Sequence, residues 1–319
     1  MSRRPRLTGG QYSLGRALLG ACLAGWSICR IGQVLARPDA TALFVAALVL
    51  VGACALLVAA GWHDRAAAAI ALAAGTVLCS WDPALGSPAL LAFGWLLLAH
   101  LFVPSAPYGS IAARGRPDPG GGWHLPLPIW IGTWVVLVAG AAAQIGAALQ
   151  TDGRGMAAAS GWGAGLMLLL FAIDPGWIGG RGGAAPETLF YDGDCGLCHR
   201  AVRFLLAEDP AGRRFRFAPL QGAHFRATLT AAQRQDLPDS LVLLTEGGRV
   251  LTRSRAVRHG LLRLGGYWSV LGWIGSLLPP AIGDAAYNLV ARTRHRLFSR
   301  PPDACPVTPP HLRERFNLD

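Results

Sequence analysis

Six apolar runs between residues 14 and 173 constrain the fold of this chain more than any other feature. They cover residues 14–36, 41–61, 66–81, 88–102, 128–149 and 156–173. A helix needs about 20 apolar residues to cross the hydrocarbon core of a bilayer, so the third and fourth runs are short for spans. Helices also satisfy their own backbone hydrogen bonds in lipid. The runs predict a multi-pass α-helical membrane domain of about six helices over residues 1–180.

The distribution of arginine predicts the orientation of these helices. All 29 basic residues are arginines, the formal net charge is +11, and only 15% of residues are charged. If six helices span, the arginine-rich loops lie mostly on the same side as the N-terminal tail, including Arg114, Arg116 and Arg181. Loops rich in arginine face the cytoplasm. We therefore expect both ends of the chain in the cytoplasm, a lipid bilayer as partner, and no nucleic acid.

One polar motif follows the apolar part of the chain. It reads Thr188-Leu-Phe-Tyr-Asp-Gly-Asp-Cys-Gly-Leu-Cys-His-Arg200. Strand-like residues lead into a Cys-x-x-Cys, and apolar residues then recur at helical spacing. Cys195 is therefore predicted at the N-terminus of a helix, where free N–H groups and the helix dipole favour a thiolate. A thiolate is the nucleophile of disulfide exchange.

Polar residues around the cysteines are further candidates for the site. Asp192 and Asp194 disfavour a second negative charge nearby, and His199 opposes them when it is protonated. The sequence leaves the sign of the net effect on Cys195 open. We expect Cys195 to be the attacking thiolate and Cys198 the resolving thiol, with the two aspartates assisting proton transfer or fixing the loop. Tyr191 and His199 are candidates for contacts with substrate or loop.

Three other interpretations of the motif compete with a redox pair. A zinc site needs further ligands, and only Cys305 and scattered histidines follow. The nucleophile motif of haloacid-dehalogenase-like phosphatases expects Thr or Val where Gly196 stands, and this chain has no lysine. Structural cysteines are a poor match for the polar, glycine-flanked setting. The four cysteines of the apolar segments have no Cys-x-x-Cys spacing, so we expect them to pack in helices. They are Cys22, Cys29, Cys54 and Cys79.

The rest of the chain predicts an α/β domain over residues 186–319. Strands are expected at 188–191, 213–220, 241–244 and 250–252, with helices at 196–208 and 223–235. Ser254 is expected to cap a further helix. This β-α-β-α-β-β-α order is that of a thioredoxin fold. Pro238 precedes the third strand and is a candidate for the cis-proline that such folds hold against their disulfide.

Two further segments follow the predicted sheet. Residues 267–280 are rich in aromatic and aliphatic side chains, which predicts packing on the sheet or contact with the membrane interface. Residues 284–300 predict a basic helix suited to an anionic leaflet, with a solvated charged face as the alternative.

Residues across this domain resemble the DCC-type thiol-disulfide oxidoreductase-like family of bacteria. The matching segments are Tyr191-Asp-Gly-Asp-Cys-Gly-Leu-Cys198, Phe217-Ala-Pro-Leu220, Arg253-Ser-Arg-Ala256, Pro279-Pro280, Asp284-Ala-Ala-Tyr287 and Cys305. The membrane part is similar, more loosely, to DoxX-like and vitamin-K-carboxylase-like transmembrane regions. The resemblance implies a redox enzyme of the bacterial inner (plasma) membrane, without a cofactor or a metal.

The sequence thus predicts a membrane-anchored thiol-disulfide oxidoreductase, of the protein-disulfide reductase type, that acts on a protein or small-molecule disulfide or thiol. Ser254 and Pro238 join the candidates for substrate or loop contacts. One alternative is a membrane-tethered metal-binding or regulatory thiol module without turnover. Another is a transporter, which requires a polar pair inside the helical bundle, with Arg30 as the main candidate. The oligomeric state stays open.

Overall fold

A computed structural model describes residues 7–36, 41–82, 88–150, 172–179, 183–235, 237–238, 240–297 and 310–317. The chain divides into two compact units. The first comprises Met1–Arg114 and Trp123–Asp174, and the second comprises Gly115–Gly122 and Pro175–Asp319.

The first unit is helical. Its helices are α1 (Gly9–Leu35), α2 (Ala42–Ala60), α3 (Asp64–Trp81), α4 (Pro88–Phe102) and α5 (Leu127–Gln150). Each lies over one of the predicted apolar runs, whereas the sixth run falls almost wholly outside the described residues. Within the described residues, α1 and α2 are long and apolar enough to cross a membrane. The N-terminal part is therefore a helical region with two candidate membrane helices.

A buried polar cluster joins four helices of this unit, α1 to α4. The guanidinium of Arg16 donates to the carbonyl of Val58 at 2.8 Å and to the carboxylate of Asp64 at 3.3 Å. His100 approaches the same carboxylate at 3.4 Å, and its Nδ1 lies 2.6 Å from the hydroxyl of Tyr12. Arg16 is only 1% exposed. Its guanidinium is therefore paired inside the unit.

Arg30, the predicted candidate for a buried pair, has a different environment. It is partly exposed, donates to Gln33 at 2.9 Å and lies 6.0 Å from the centre of the Trp26 ring. In the described part of this helical unit, Arg16 and Asp64 form a buried charged pair. Asp64 is the first residue of α3, and Arg16, about two turns into α1, also binds the carbonyl of Val58 in the last turn of α2. The pair therefore lies where α2 ends and α3 begins.

The second unit is built on a mixed four-stranded sheet. The strands are β1 (Glu187–Tyr191), β2 (Phe215–Pro219), β3 (Val242–Leu244) and β4 (Val250–Thr252), in the order β2-β1-β3-β4. β1 pairs in parallel with β2 and antiparallel with β3, and β3 pairs antiparallel with β4. The helices are α6 (Gly196–Glu208), α7 (Ala223–Thr228), α8 (Ala231–Gln235), α9 (Arg253–Leu264), α10 (Gly266–Ser276), α11 (Pro280–Leu297) and α12 (Pro310–Arg313).

The sheet has a hydrophobic core on each face. Side chains of successive strand residues alternate between the faces, so β1 contributes to both cores. Leu189 and Tyr191 of β1 pack with Phe217 of β2 in a core that includes both cysteines of the motif. Phe190, between them in β1, packs with Val242 in a second core on the opposite face. β1 is therefore buried on both faces and paired along both edges.

The C-terminal segment protects the outer edge of β2. The N–H of Phe217 donates to the carbonyl of Arg315, and the N–H of Asn317 donates to the carbonyl of Phe217. Arg315 also binds the carboxylate of Asp209 at 2.9 Å. Asp209 is 1% exposed and accepts three backbone N–H groups from the start of β2, those of Arg213, Arg214 and Phe215.

Three local predictions differ from the structure. The expected helix at 223–235 is two short helices, separated where Leu229 turns into the second core. Ser254 is not the cap of α9 but lies in its first turn, where its hydroxyl donates to Asp284 of α11 at 2.5 Å. Among the described residues no peptide bond is cis, so the expected cis-proline at Pro238 is not found.

Replacing Asp209 by Ala should destabilise the second unit by about 3–5 kcal/mol, because Arg315 then stays buried without its counter-charge. Alkylation of Cys195 and Cys198 during urea unfolding of the full-length chain reports on this unit, since both thiols are buried. Arg315→Met should cost less in the Asp209→Ala background than alone. Additive losses would show that the two residues act independently.

Replacing Asp284 by Asn should lower the melting temperature at neutral pH, because the charged hydrogen bond from Ser254 becomes a neutral one. That hydrogen bond lowers the pKa of Asp284 below its ordinary 3.8. The stabilisation is therefore complete above the unfolded-state pKa and is lost as the pH falls through the lowered value. We expect melts followed by tryptophan fluorescence to converge for the two proteins in acid. A difference that stays constant with pH contradicts this role.

Candidate active site

The Cys-x-x-Cys lies at the end of the central strand. β1 ends at Tyr191, a four-residue turn follows, and α6 begins at Gly196. Cys195 is the N-cap of α6, and its Sγ accepts the N–H of Cys198 at 3.4 Å. The predicted position of Cys195 at a helix start is therefore the one observed. The helix places the second thiol one turn along from the first.

Both thiols are buried, but to different extents. Cys195 is 1% exposed and Cys198 is 6% exposed, and neither forms a disulfide. They belong to the core that contains Tyr191, Phe215 and Phe217. Cys198 also lines a cavity whose other walls come from α9, α10 and α11, and Cys195 is not among its lining residues.

Asp192 fixes the turn that precedes Cys195. Its Oδ1 accepts the N–H of Asp194 at 3.0 Å and the side-chain amide of Gln221 at 3.1 Å. The Tyr191 carbonyl accepts the N–H of Leu220 at 2.9 Å. Asp192 therefore ties the turn after β1 to the turn after β2, while Asp194 is exposed. The structure supports loop fixation as the part played by Asp192.

His199 points back into the same turn. Its Nε2 lies 2.8 Å from the carbonyl of Gly193, so that nitrogen donates its N–H. The ring is 94% buried and meets the Tyr191 ring edge-on, with centroids 5.8 Å apart. His199 thus binds the backbone of the turn, and the Tyr191 ring packs against His199. The hydrogen bond of His199 runs to the backbone of the turn, which makes it a positioning residue.

The other two predicted site residues lie apart from this turn. Leu237, the neighbour of Pro238, packs in the core on the opposite face of the sheet from the cysteines. Ser254 lines the same cavity as Cys198, on the wall formed by α9. The residue before β3 that packs with the cysteines is Leu241, and its N–H donates to the hydroxyl of Tyr287 at 2.9 Å.

Gln221 and Tyr287 were not predicted as site residues. Gln221 could have been found, because the carboxyl ends of parallel strands meet at one edge of a sheet and Gln221 lies two residues after the end of β2. Tyr287 belongs to a segment of the family resemblance but lies 46 residues from its partner Leu241. Local sequence patterns carry no signal for that contact.

The described part of the chain contains no set of side chains that could bind a metal ion. There, no three side chains of His, Cys, Asp or Glu come together. Cys305, the additional ligand that the metal alternative invokes, lies outside the described residues. Cys22, Cys29, Cys54 and Cys79 are free thiols in the helical unit.

Comparisons with known proteins match this arrangement. Residues 189–300 match the family model of the DCC1-like thiol-disulfide oxidoreductases. YuxK, an uncharacterised protein of Bacillus subtilis (strain 168), is 30% identical over 134 residues, which are 41% of this chain and 93% of YuxK. A chloroplastic DCC family protein of Arabidopsis thaliana is 29% identical over 117 residues, 37% of this chain and 67% of that protein. No solved structure matches significantly.

The matched family residues include the whole Cys-x-x-Cys turn and the cavity walls formed by α9, α10 and α11. The family model begins at residue 189, so the DoxX-like resemblance of the helical unit stays a prediction. Through the family model and the near-complete coverage of YuxK, the chain belongs to the DCC1-like thiol-disulfide oxidoreductase family.

Proposed function

We propose that this protein is a membrane-anchored thiol-disulfide oxidoreductase with a thioredoxin-like catalytic unit. The observation that carries the proposal is the position of Cys195 as N-cap of α6, with the N–H of Cys198 directed at its sulfur. A backbone N–H at a helix start stabilises negative charge, which is the charge of an attacking thiolate. Family membership supports the same chemistry.

In the proposed reaction, the Cys195 thiolate attacks a sulfur of the substrate disulfide. The substrate S–S bond breaks, and its leaving sulfur takes up a proton. Cys198 then attacks the mixed disulfide at Cys195, which releases the second substrate thiol and leaves a Cys195–Cys198 disulfide. Two electrons pass from the protein to the substrate. In a reducing cytosol the pair rests as a dithiol and acts as a reductase on a protein or small-molecule disulfide.

The polar residues of the turn act on the geometry of this exchange. Asp192 and His199 bind the turn from opposite ends, so they hold Cys195 at the helix start. Asp194 is exposed beside Cys195 in sequence, where a carboxylate can exchange protons with the leaving thiol. A substrate cannot reach Cys195 directly from solvent, because only 1% of this residue is exposed. Binding of a substrate therefore has to open the turn or approach from the Cys198 side.

The membrane anchor is the second part of the proposal. We propose about six spans over residues 1–180, a bacterial inner membrane location, and a cytoplasmic catalytic unit. The two candidate membrane helices and the arginine bias of the loops support this arrangement. The transporter alternative requires a polar pair deep in a span, whereas the acidic partner of Arg16 is Asp64, the first residue of α3.

Replacing Cys195 by Ser should lower the rate of thiol–disulfide exchange by roughly 100-fold or more, because the nucleophile is lost. The assay incubates the full-length chain in a series of dithiol/disulfide buffers and counts free thiols with an alkylating mass tag. The wild type should show one two-electron transition confined to Cys195 and Cys198. Cys198→Ser should accumulate a mixed disulfide on Cys195.

The matched control is Cys29→Ser, which removes an exposed thiol of α1 and should leave the transition unchanged. If Cys195→Ser exchanges thiols with disulfides as fast as the wild type, the proposed oxidoreductase function is wrong. Stoichiometric zinc in the purified chain, together with cysteines that resist oxidation, would instead establish the metal-binding alternative.

A further inference from the structure

A cavity of about 460 Å³ lies beside Cys198 in the second unit. Its walls come from α6, α9, α10 and α11, and Leu241 forms part of the wall next to the sheet. Its volume falls in the range of pockets that hold small molecules. Apolar side chains that stay exposed at its lining, such as Leu278 at 50% and Leu271 at 41%, show that it opens to the surface.

The lining has one apolar part and one cationic part. Leucines, valine, alanines and prolines supply most of the surface. The charged residues are Arg255 and Arg258, which lie one turn apart on α9. Such a cavity suits a ligand with an apolar body and a single anionic group, because the apolar surface is removed from water while the charge meets arginine.

One cysteine of the Cys-x-x-Cys lines the same cavity. Cys198 lines the cavity together with its neighbours Leu197 and Ala201 on α6. Cys195 is more deeply buried and is not among the lining residues. A ligand in the cavity therefore meets the sulfur of Cys198 first. A disulfide at the apolar end of such a ligand could undergo thiol–disulfide exchange with this pair.

We propose that the cavity binds a small amphiphilic disulfide, in which an apolar chain joins a disulfide at one end to a carboxylate at the other. A 1,2-dithiolane carboxylate such as lipoate has this chemistry. Its carboxylate faces Arg255 and Arg258, and its ring reaches Cys198. This inference rests on the proposed oxidoreductase function and names a substrate class for it.

For this substrate the order of the two cysteines is reversed. The Cys198 thiolate attacks one sulfur of the dithiolane, the ring S–S bond breaks, and the other ring sulfur leaves and is protonated. Cys195 then attacks Cys198, which forms the protein disulfide and releases the second ligand sulfur as a thiol. The protein dithiol loses two electrons and two protons, and the ligand gains both as a dithiol.

The test measures how fast the reduced full-length chain is oxidised by lipoate and by hydroxyethyl disulfide, a small polar disulfide. Each rate is divided by the rate of the same disulfide with free dithiothreitol, which removes intrinsic reactivity. The wild type should show saturation with lipoate and a higher normalised rate for lipoate. In Cys195→Ser, ring-opened lipoate should stay on Cys198 as a mixed disulfide when its second thiol is alkylated as it forms, because that thiol otherwise closes the ring again. Mass spectrometry locates the adduct.

Filling the cavity should remove this preference. A Cβ on Gly275 meets no atom within 4 Å, so Gly275→Phe places a ring beside the cavity without a backbone clash. We expect the ratio of the lipoate rate to the polar-disulfide rate to fall on the order of tenfold. Gly247→Leu, in the β3–β4 turn where a Cβ also meets open space, is the control and should keep the ratio.

A second variant tests the charge without altering the core. Arg255→Gln with Arg258→Gln should reduce the preference for lipoate over uncharged lipoamide by roughly threefold to fivefold. Equal normalised rates for lipoate and the polar disulfide, or a ratio that neither variant changes, overturn the cavity proposal. Failure of both disulfides to oxidise the wild type overturns the oxidoreductase function as well.

Discussion

The pairing of β1 along both of its edges is the constraint on which the second unit depends. β1 bonds to β2 on one side and to β3 on the other, and its side chains enter both cores. A strand in that position has little freedom to shift, because a slip of one residue exchanges its two faces. The turn after Tyr191 is therefore held at a fixed place, and Cys195 and the start of α6 follow from it.

Acidic side chains connect the sheet and the helices of the second unit through hydrogen bonds and ion pairs. Glu187 begins β1 and binds His259 of α9 through both carboxylate oxygens, at 2.8 and 3.1 Å. Asp209 gathers the backbone at the start of β2, and Asp284 holds α11 to the first turn of α9. These acidic residues each join segments distant in sequence. The cavity beside Cys198 keeps its shape through the last of them, since α9 and α11 are two of its walls.

Much of the second unit could be predicted from the sequence because its signals are local. Phe215 and Phe217 alternate with polar residues and mark β2, and the glycine-rich turn marks the β3–β4 hairpin. The position of Cys195 follows from the helical spacing after it. The break at Leu229 and the first-turn position of Ser254 could not be predicted, because each depends on a partner from elsewhere, the second core and Asp284.

The same limit applies to the helical unit and to the loop between α4 and α5. Apolar runs identify α1 to α5, but periodicity does not say which helix ends meet, so the pairing of Arg16 with Asp64 was not foreseen. Gly115–Gly122 groups with the second unit although most of that unit begins at Pro175. Arg203 donates to the carbonyl of Arg116 within that unit. The amino-acid composition of this loop does not indicate that it belongs to the second unit.

The strip of residues 315–317 on the edge of β2 has a consequence for synthesis of the chain. A ribosome makes β2 about a hundred residues before the segment that covers it, as the separation of Phe215 and Arg315 shows. During that interval the nascent sheet presents unpaired N–H and C=O groups along β2, which is the kind of edge that recruits other strands. Completion of the sheet therefore waits for the emergence of Asn317, and the nascent chain has to keep that edge apart from its neighbours until then.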